Sequence, residues 1–259
     1  MKFVPKHPDG TVNAPESPPL LEFLYLSIGL LAVIAAVYFI LGAAVNFVVP
    51  YISEETERKI SSVFAVKNAP SVKRPAEELK LQKLTDDLGK LTGYPAGTFT
   101  VRFINDKTEN AAALPGGIIF FYKGLYEKLN NENEIVFVLA HEMGHFNNRD
   151  HLRRLGRSLI LILLIAGFNN SSNDISGLVN LGLGTTETGF SRHQEIKADL
   201  FAADLLMKKY GSAEGAKKVL SLFKSREKGG EFMYFLSTHP HSKKRIEAIE
   251  KHLKAAGGI

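Results

Sequence analysis

The chain contains no cysteine. A disulfide framework and a cysteine-ligated zinc ribbon are therefore both excluded, while the redox compartment is left open. Charge is not concentrated in one sign either: 32 Lys and Arg stand against 27 Asp and Glu in 259 residues, and the basic residues are scattered. Such a balance fits a solvated surface with some attraction to anionic lipid, and no nucleic-acid partner is expected. There is no internal repeat period. Apolar residues make up 45% of the chain, enough for a real core and too many for a disordered tail.

What is present, near the start, is a long apolar run. From Phe23 to Val49 the sequence FLYLSIGLLAVIAAVYFILGAAVNFVV has 27 residues without a charge and is ended by Pro50. As a helix it would be roughly 40 Å long, against roughly 30 Å of bilayer hydrocarbon, and we read it as a transmembrane helix. A cleaved signal peptide has a shorter apolar region and a basic start, and a buried core helix is usually shorter. Within about twenty residues of the span, Lys6 on one side faces Arg58, Lys59 and Lys67 on the other. That asymmetry favours a cytoplasmic C-terminal domain, but large domains cross membranes largely regardless of charge, so the face is left open. The expected location is single-pass in a membrane, with the bacterial inner membrane as the setting. Residues 1–22, rich in proline, read as a flexible tail, and residues 50–259 read as the folded domain.

Along that domain, SEETERKISSVF opens like a helix with Ser53 as N-cap. Residues 76–91 are amphipathic and helical, stopped by Gly93, and TFTVRFI at 98–104 reads as a strand. The stretch 110–129 reads as a strand, a turn at Pro115, Gly116 and Gly117, a second strand from Ile118 to Phe121, and a helix. An extended peptide can add itself to an exposed sheet edge, and Gly117, Ile118, Ile119 and Phe120 are the expected substrate-binding edge. The run SLILILLIAGF at 158–168 is too short to span; it is either a core helix or an interfacial contact. The glycine-rich segment 177–189 has the composition of a flap. Helices are expected over about 187–209 and 212–227, and a last one behind a Ser242 cap through Lys254.

Chemistry enters at VFVLAHEMGHFNNRD, residues 136–150, on a helix expected from Glu132 to Asn147 behind an Asn131 cap. Residues four apart lie one above the other, so His141 and His145 can point at one spot. An HExxH pattern on a helix is a zinc signature in which the intervening glutamate, here Glu142, serves as base. A catalytic zinc usually takes three protein ligands, so a third donor is required. The candidate is Glu195 in SRHQEIKADLFAADLL, residues 191–206, which shares helical spacing with Ala198, Phe201, Ala202 and Leu205. A carboxylate on a packing face is costly unless paired or bound to metal. Asp199, one turn on, is placed to accept the second ring N–H of a ligating histidine. The alternative is a surface pair of Glu195 with Arg192 or Lys197.

HExxH at 141–145 followed by SRxxExxAD at 191–199 resembles the zinc metallopeptidase family that contains the HtpX heat-shock proteases, the CAAX prenyl endopeptidases and the periplasmic and mitochondrial quality-control proteases. NAAALPGG at 110–117 and THPHSKKRIEAI at 238–249 resemble two further segments of that family, and the resemblance covers about 55–255. It implies His141, His145 and Glu195 as ligands of one Zn2+ per chain, Glu142 as catalytic base and Asp199 as the partner behind a ligand. It also implies a mainly α gluzincin-type domain with a small β-sheet. With one clear span, the chain resembles the single-span quality-control branch, and a prenyl-protein substrate is not expected. His239 and Arg245 enter as catalytic candidates mainly on the same resemblance. Either could stabilise the oxyanion of peptide hydrolysis, or His239 could fill the fourth zinc position and keep the enzyme latent. The expected function is membrane-anchored zinc endopeptidase activity on polypeptides, in misfolded or envelope proteins. The rival is a tethered holdase or assembly factor with a latent zinc site.

Overall fold

The computed structural model describes residues 18–53, 55–57, 59, 74–168, 190–226, 239 and 243–255, with backbone alone at 161–168 and 223–226. The proline-rich stretch before residue 18, most of the helix expected after Ser53, the glycine-rich segment and the Ser242 cap lie outside them. What is described is mainly helical with one three-stranded sheet, in line with the expected class.

Helix α1 (Pro19–Val48) is the apolar run, and none of its residues is buried. A short 3-10 turn, Val49–Tyr51, ends it where Pro50 falls. Ser53 then accepts a hydrogen bond from the Thr56 amide at 3.2 Å. Helix α2 (Ala76–Thr92) buries Leu81, Leu84 and Leu88 and stops at Gly93, whose φ of 76° closes the helix in the left-handed region. Strands β1 (Thr100–Ile104), β2 (Ala111–Leu114) and β3 (Ile118–Tyr122) follow, with α3 (Lys123–Tyr126) as a single turn.

The strand order is β1-β3-β2, with β1 and β3 parallel and β2 and β3 antiparallel. This corrects the expected substrate edge. Gly117 immediately precedes the central strand, and Ile118, Ile119 and Phe120 lie in it, paired on both sides. The edges are β1 and β2. The outward groups of β1 are occupied by α2: Gln82 accepts from Val101 N at 2.8 Å and donates to Phe99 O at 3.0 Å, and Glu78 accepts from Phe103 N at 2.9 Å. Strand β2 is the edge that faces the next helix.

That helix, α4 (Glu132–Asn147), starts where Asn131 accepts from the Glu134 amide at 3.1 Å and is buried continuously from Glu134 to His145. The apolar run before the histidines fixes it in the core against α2, β2, α6 and α7. After Asn148 the chain turns at Arg149, the one non-glycine residue with positive φ (56°) among those described, and enters α5 (Asp150–Phe168). The run 158–168 is thus the far half of a longer helix. Helix α5 lies against α1, so closely that a Cβ on Gly156 would come 2.7 Å from Val45. Helix α6 (Arg192–Tyr210) begins in a capping box between Ser191 and Gln194 and is followed by α7 (Glu214–Arg226) and α8 (Lys243–Ala255).

A close crossing brings α4 onto α6. A Cβ on Gly144 would stand 2.9 Å from Ala198 Cα and 3.1 Å from its carbonyl oxygen. Small residues on both helices bring the backbones close enough for side chains from each to meet. Gly144→Ala is expected to destabilise the domain by about 1–3 kcal/mol through overpacking, read as a lowered midpoint in thermal or urea unfolding.

Candidate metal centre

His141 and His145 leave α4 on the face that meets α6, and Glu195 leaves α6 in its first turn to face them. One turn before His141 on the same face is Phe137, whose ring lies 6.1 Å from the His141 ring, so the donor atoms of α4 end at this histidine and apolar packing takes over. Nε2 of His141 is 3.1 Å from Nε2 of His145 and 3.5 Å from Glu195 Oε2, and Nε2 of His145 is 3.3 Å from Glu195 Oε1. His239 joins them: its Nδ1 is 3.2 Å from His141 Nε2 and 3.1 Å from Glu195 Oε1. One donor atom from each of these four buried residues lies within 4.8 Å of every other.

These spacings test whether a metal fits. Bonds of 2.0–2.1 Å in a tetrahedron place ligand atoms about 3.3–3.4 Å apart; the His141–His145 and His141–His239 separations of 3.1 and 3.2 Å are close to that, and Glu195 offers one or other oxygen at 3.1–3.5 Å from the three rings. The donors are imidazole nitrogen and carboxylate oxygen, which suits a borderline divalent cation. Charge agrees as well. Four buried carboxylates, Glu142, Asp150, Glu195 and Asp199, surround the histidines, against one buried guanidinium, Arg245. The four residues fit a metal ion.

A second layer orients the donors. His141 Nδ1 sits 3.0 Å from Asp199 Oδ1, and His145 Nδ1 3.1 Å from Asp150 Oδ2. Asp150 is in turn held by Gln194 Nε2 at 2.7 Å. Phe190 stacks on the His145 ring at 3.8 Å between centroids. Arg245 donates from Nε and Nη2 to the two Asp199 oxygens at 2.6 and 2.7 Å, and its Nη1 lies 2.6 Å from Glu195 Oε2.

This environment sets the protonation states. Burial lowers the His141 and His239 rings below the usual histidine range, in spite of the carboxylates beside them. Burial acts the same way on His145, but its bonds to Asp150 and Glu195 prevail and push it up to about 9. Burial raises the Glu142 carboxyl above the usual range. Glu195 and Asp199 are held low against the effect of burial, chiefly by Arg245.

Residues 75–253 match the sequence profile of Peptidase family M48. The chain belongs to this family. It is 34% identical over 161 residues to the "Mitochondrial metalloendopeptidase OMA1" of Schizosaccharomyces pombe, covering 59% of this chain and 46% of that protein. It is 29% identical over 180 residues to the Escherichia coli "Metalloprotease YcaL", covering 67% of this chain and 69% of that one. To the Escherichia coli "Metalloprotease LoiP" it is 31% identical over 157 residues, covering 58% of this chain and 61% of that one. The chain thus spans about half the length of the fission-yeast relative. The M48 match runs from α2 into α8 and contains all four donor residues, whereas α1 lies outside it.

The structure brings His141, Glu142, His145, Glu195, Asp199, His239 and Arg245 together. The Arg245 guanidinium lies behind Glu195 and Asp199 and is engaged by both, so it neutralises the carboxylates. His239 lies within the donor set itself. Sequence reasoning missed Asp150 and Phe190. Asp150 follows His145 by five residues, which on an unbroken helix points to another face; only the left-handed turn at Arg149 brings it back. Asp150→Asn should lower metal affinity by about 10–100-fold, measured by competition with a chelator.

Proposed function

We propose that this M48 chain is a membrane-anchored zinc endopeptidase of the single-span quality-control kind, cutting extended segments of misfolded or envelope proteins. The observation that carries this reading is Glu142. Its Oε2 is fixed by the Ala113 amide of β2 at 2.8 Å, while Oε1 has no hydrogen-bond partner among the described residues and lies 3.6 Å from His239 Nε2. A metal held for structure alone needs no carboxylate poised beside it with a raised pKa.

Zinc held by His141, His145 and Glu195 would supply Lewis acidity, making water a nucleophile near neutral pH and polarising a carbonyl. The protein's own groups supply the rest. In β2, Ala112 and Leu114 bond inward to β3, so the amide and carbonyl groups of Ala111 and Ala113 face outward. A substrate strand laid along β2 would pair with those of these groups that do not hold Glu142 and bring its scissile carbonyl beside Glu142. Glu142 accepts the proton of the attacking water at Oε1. As the new C–O bond forms and the C–N bond breaks, it passes that proton to the departing amine; its raised pKa favours the earlier uptake of the proton from water. Asp199 and Asp150 hold the two helix histidines in one orientation, and Arg245 keeps Glu195 and Asp199 ionised.

His239 is assigned to the resting state, since its Nδ1 occupies the fourth donor position and must withdraw before a substrate carbonyl can enter. The same placement is what favours the second reading, a tethered holdase or assembly factor with a latent zinc site. Helix α1, long, apolar and without a buried residue, is the proposed anchor, and the membrane and polypeptide substrates are the proposed partners.

The full chain in detergent should degrade unfolded casein, and Glu142→Gln should slow this by about 10²–10⁴-fold while the zinc content stays at one per chain. Equal degradation by the substituted protein would rule out the peptidase mechanism. His239→Ala should raise the rate if the residue caps the metal; a fall of similar size would make it a donor to the transition state instead.

A further inference from the structure

Arg149, the last residue before α5, and Asp150 and His151, the first two of α5, each hold something different. Arg149 Nη1 donates to the carbonyl oxygen of Val49 at 3.1 Å and also to that of Ile52, at the point where α1 ends. The last carbonyls of a helix lack partners within it, and a cation there also meets the negative end of the helix dipole. Asp150 holds His145. His151 Nε2 meets Glu57 Oε1 at 2.8 Å, and the same oxygen accepts from the amide of Gly116 at 2.9 Å, in the turn between β2 and β3. The ring of His151 is stacked on Phe146 of α4, 5.1 Å between centroids and 3° from parallel.

Glu57, Asp150 and His151 are all nearly inaccessible to solvent, although Glu57 belongs to the segment that has just left the apolar helix. Burial alone would raise the Glu57 carboxyl, but His151 and the Gly116 amide keep it below the usual range and therefore ionised. A buried carboxylate with two partners on one oxygen is a fixed point, and removal of it leaves both partners unsatisfied.

We propose that residues 49–53 and 55–57 form a clamp by which the end of the apolar helix positions the active site, with Glu57 and Arg149 as its positioning residues. Glu57 fixes the Pro115–Gly117 turn and through it β2, the strand whose Ala113 amide holds Glu142. Arg149 ties the same segment to the break that delivers Asp150 to His145. A displacement of α1 is thereby felt at both the edge strand and the metal helix. The effect on substrate affinity rests on the reading of β2 as the substrate strand; the clamp itself does not.

The test is hydrogen–deuterium exchange on the full chain in detergent micelles, comparing wild type with Glu57→Gln, Glu57→Ala and Arg149→Ala, alongside kinetics on an extended peptide. Amides of residues 111–117 should exchange at least about tenfold faster in each variant, with those of α2 unchanged and one metal retained. KM should rise about fivefold or more. Unchanged exchange at 111–117, or acceleration as large in α2 even in the milder Glu57→Gln, overturns the proposal. Faster exchange with unchanged KM supports the clamp and contradicts β2 as the substrate strand.

Discussion

Eight ionisable side chains, His141, Glu142, His145, Asp150, Glu195, Asp199, His239 and Arg245, are almost wholly removed from solvent at one point in the domain, and the arrangement of the neighbouring elements answers the need to pair them. Burial of one unpaired charge costs several kcal/mol, comparable to the whole stability of a domain. The fork of Arg245 meets both carboxylates of α6, His141 and His145 meet oxygens of Asp199 and Glu195, and the amide of Ala113 meets one oxygen of Glu142, leaving Oε1 without a hydrogen-bond partner among the described residues. Three histidines and a carboxylate still converge on one volume, with a donor atom of each within 4.8 Å of the others. A cation there would complete the charge balance that the side chains leave uneven.

Packing makes the convergence possible. Helix α4 carries an almost unbroken apolar sequence into its histidines, so it cannot rotate without exposing core residues, and Gly144 against Ala198 sets its distance from α6. The sheet contributes from the other side. Because α2 engages the outward amides of β1, the edge left toward the metal helix is β2, and its outward amide already holds the glutamate. Core, edge strand and donor set are thus parts of one geometry rather than a site added to a finished scaffold.

Much of this is legible in the sequence because it depends on local rules. Asn131 marks the start of the HExxH helix, Gly93 the end of α2, and Ser191 with Gln194 the start of α6; Glu195 shows itself as a carboxylate at helical spacing among alanines. What is not legible depends on relations between distant segments. Strand order is one: 118–121 reads correctly as a strand, but its parallel pairing with β1 across an intervening antiparallel strand leaves no mark in its own residues, so by itself it passes for an edge. Asp150 is another, since a single left-handed residue changes the side toward which it points. The apolar run at 158–168 dominates the pattern of its helix and masks the polar first turn, where Asp150 and His151, with Arg149 just before them, do their joining. Arg245 reads as a cation near the site, yet only the fold shows that it stands behind the carboxylates.

The central claim is that His141, His145 and Glu195, with His239 in the resting state, hold one metal ion. X-ray absorption at the zinc edge of the full, zinc-loaded chain tests it most directly. The account predicts a four-coordinate shell at about 2.0–2.1 Å with three imidazoles and one carboxylate oxygen, falling to two imidazoles in His239→Ala. A six-coordinate, oxygen-only shell, or a shell unchanged by substitution of His141 and His145, would contradict it.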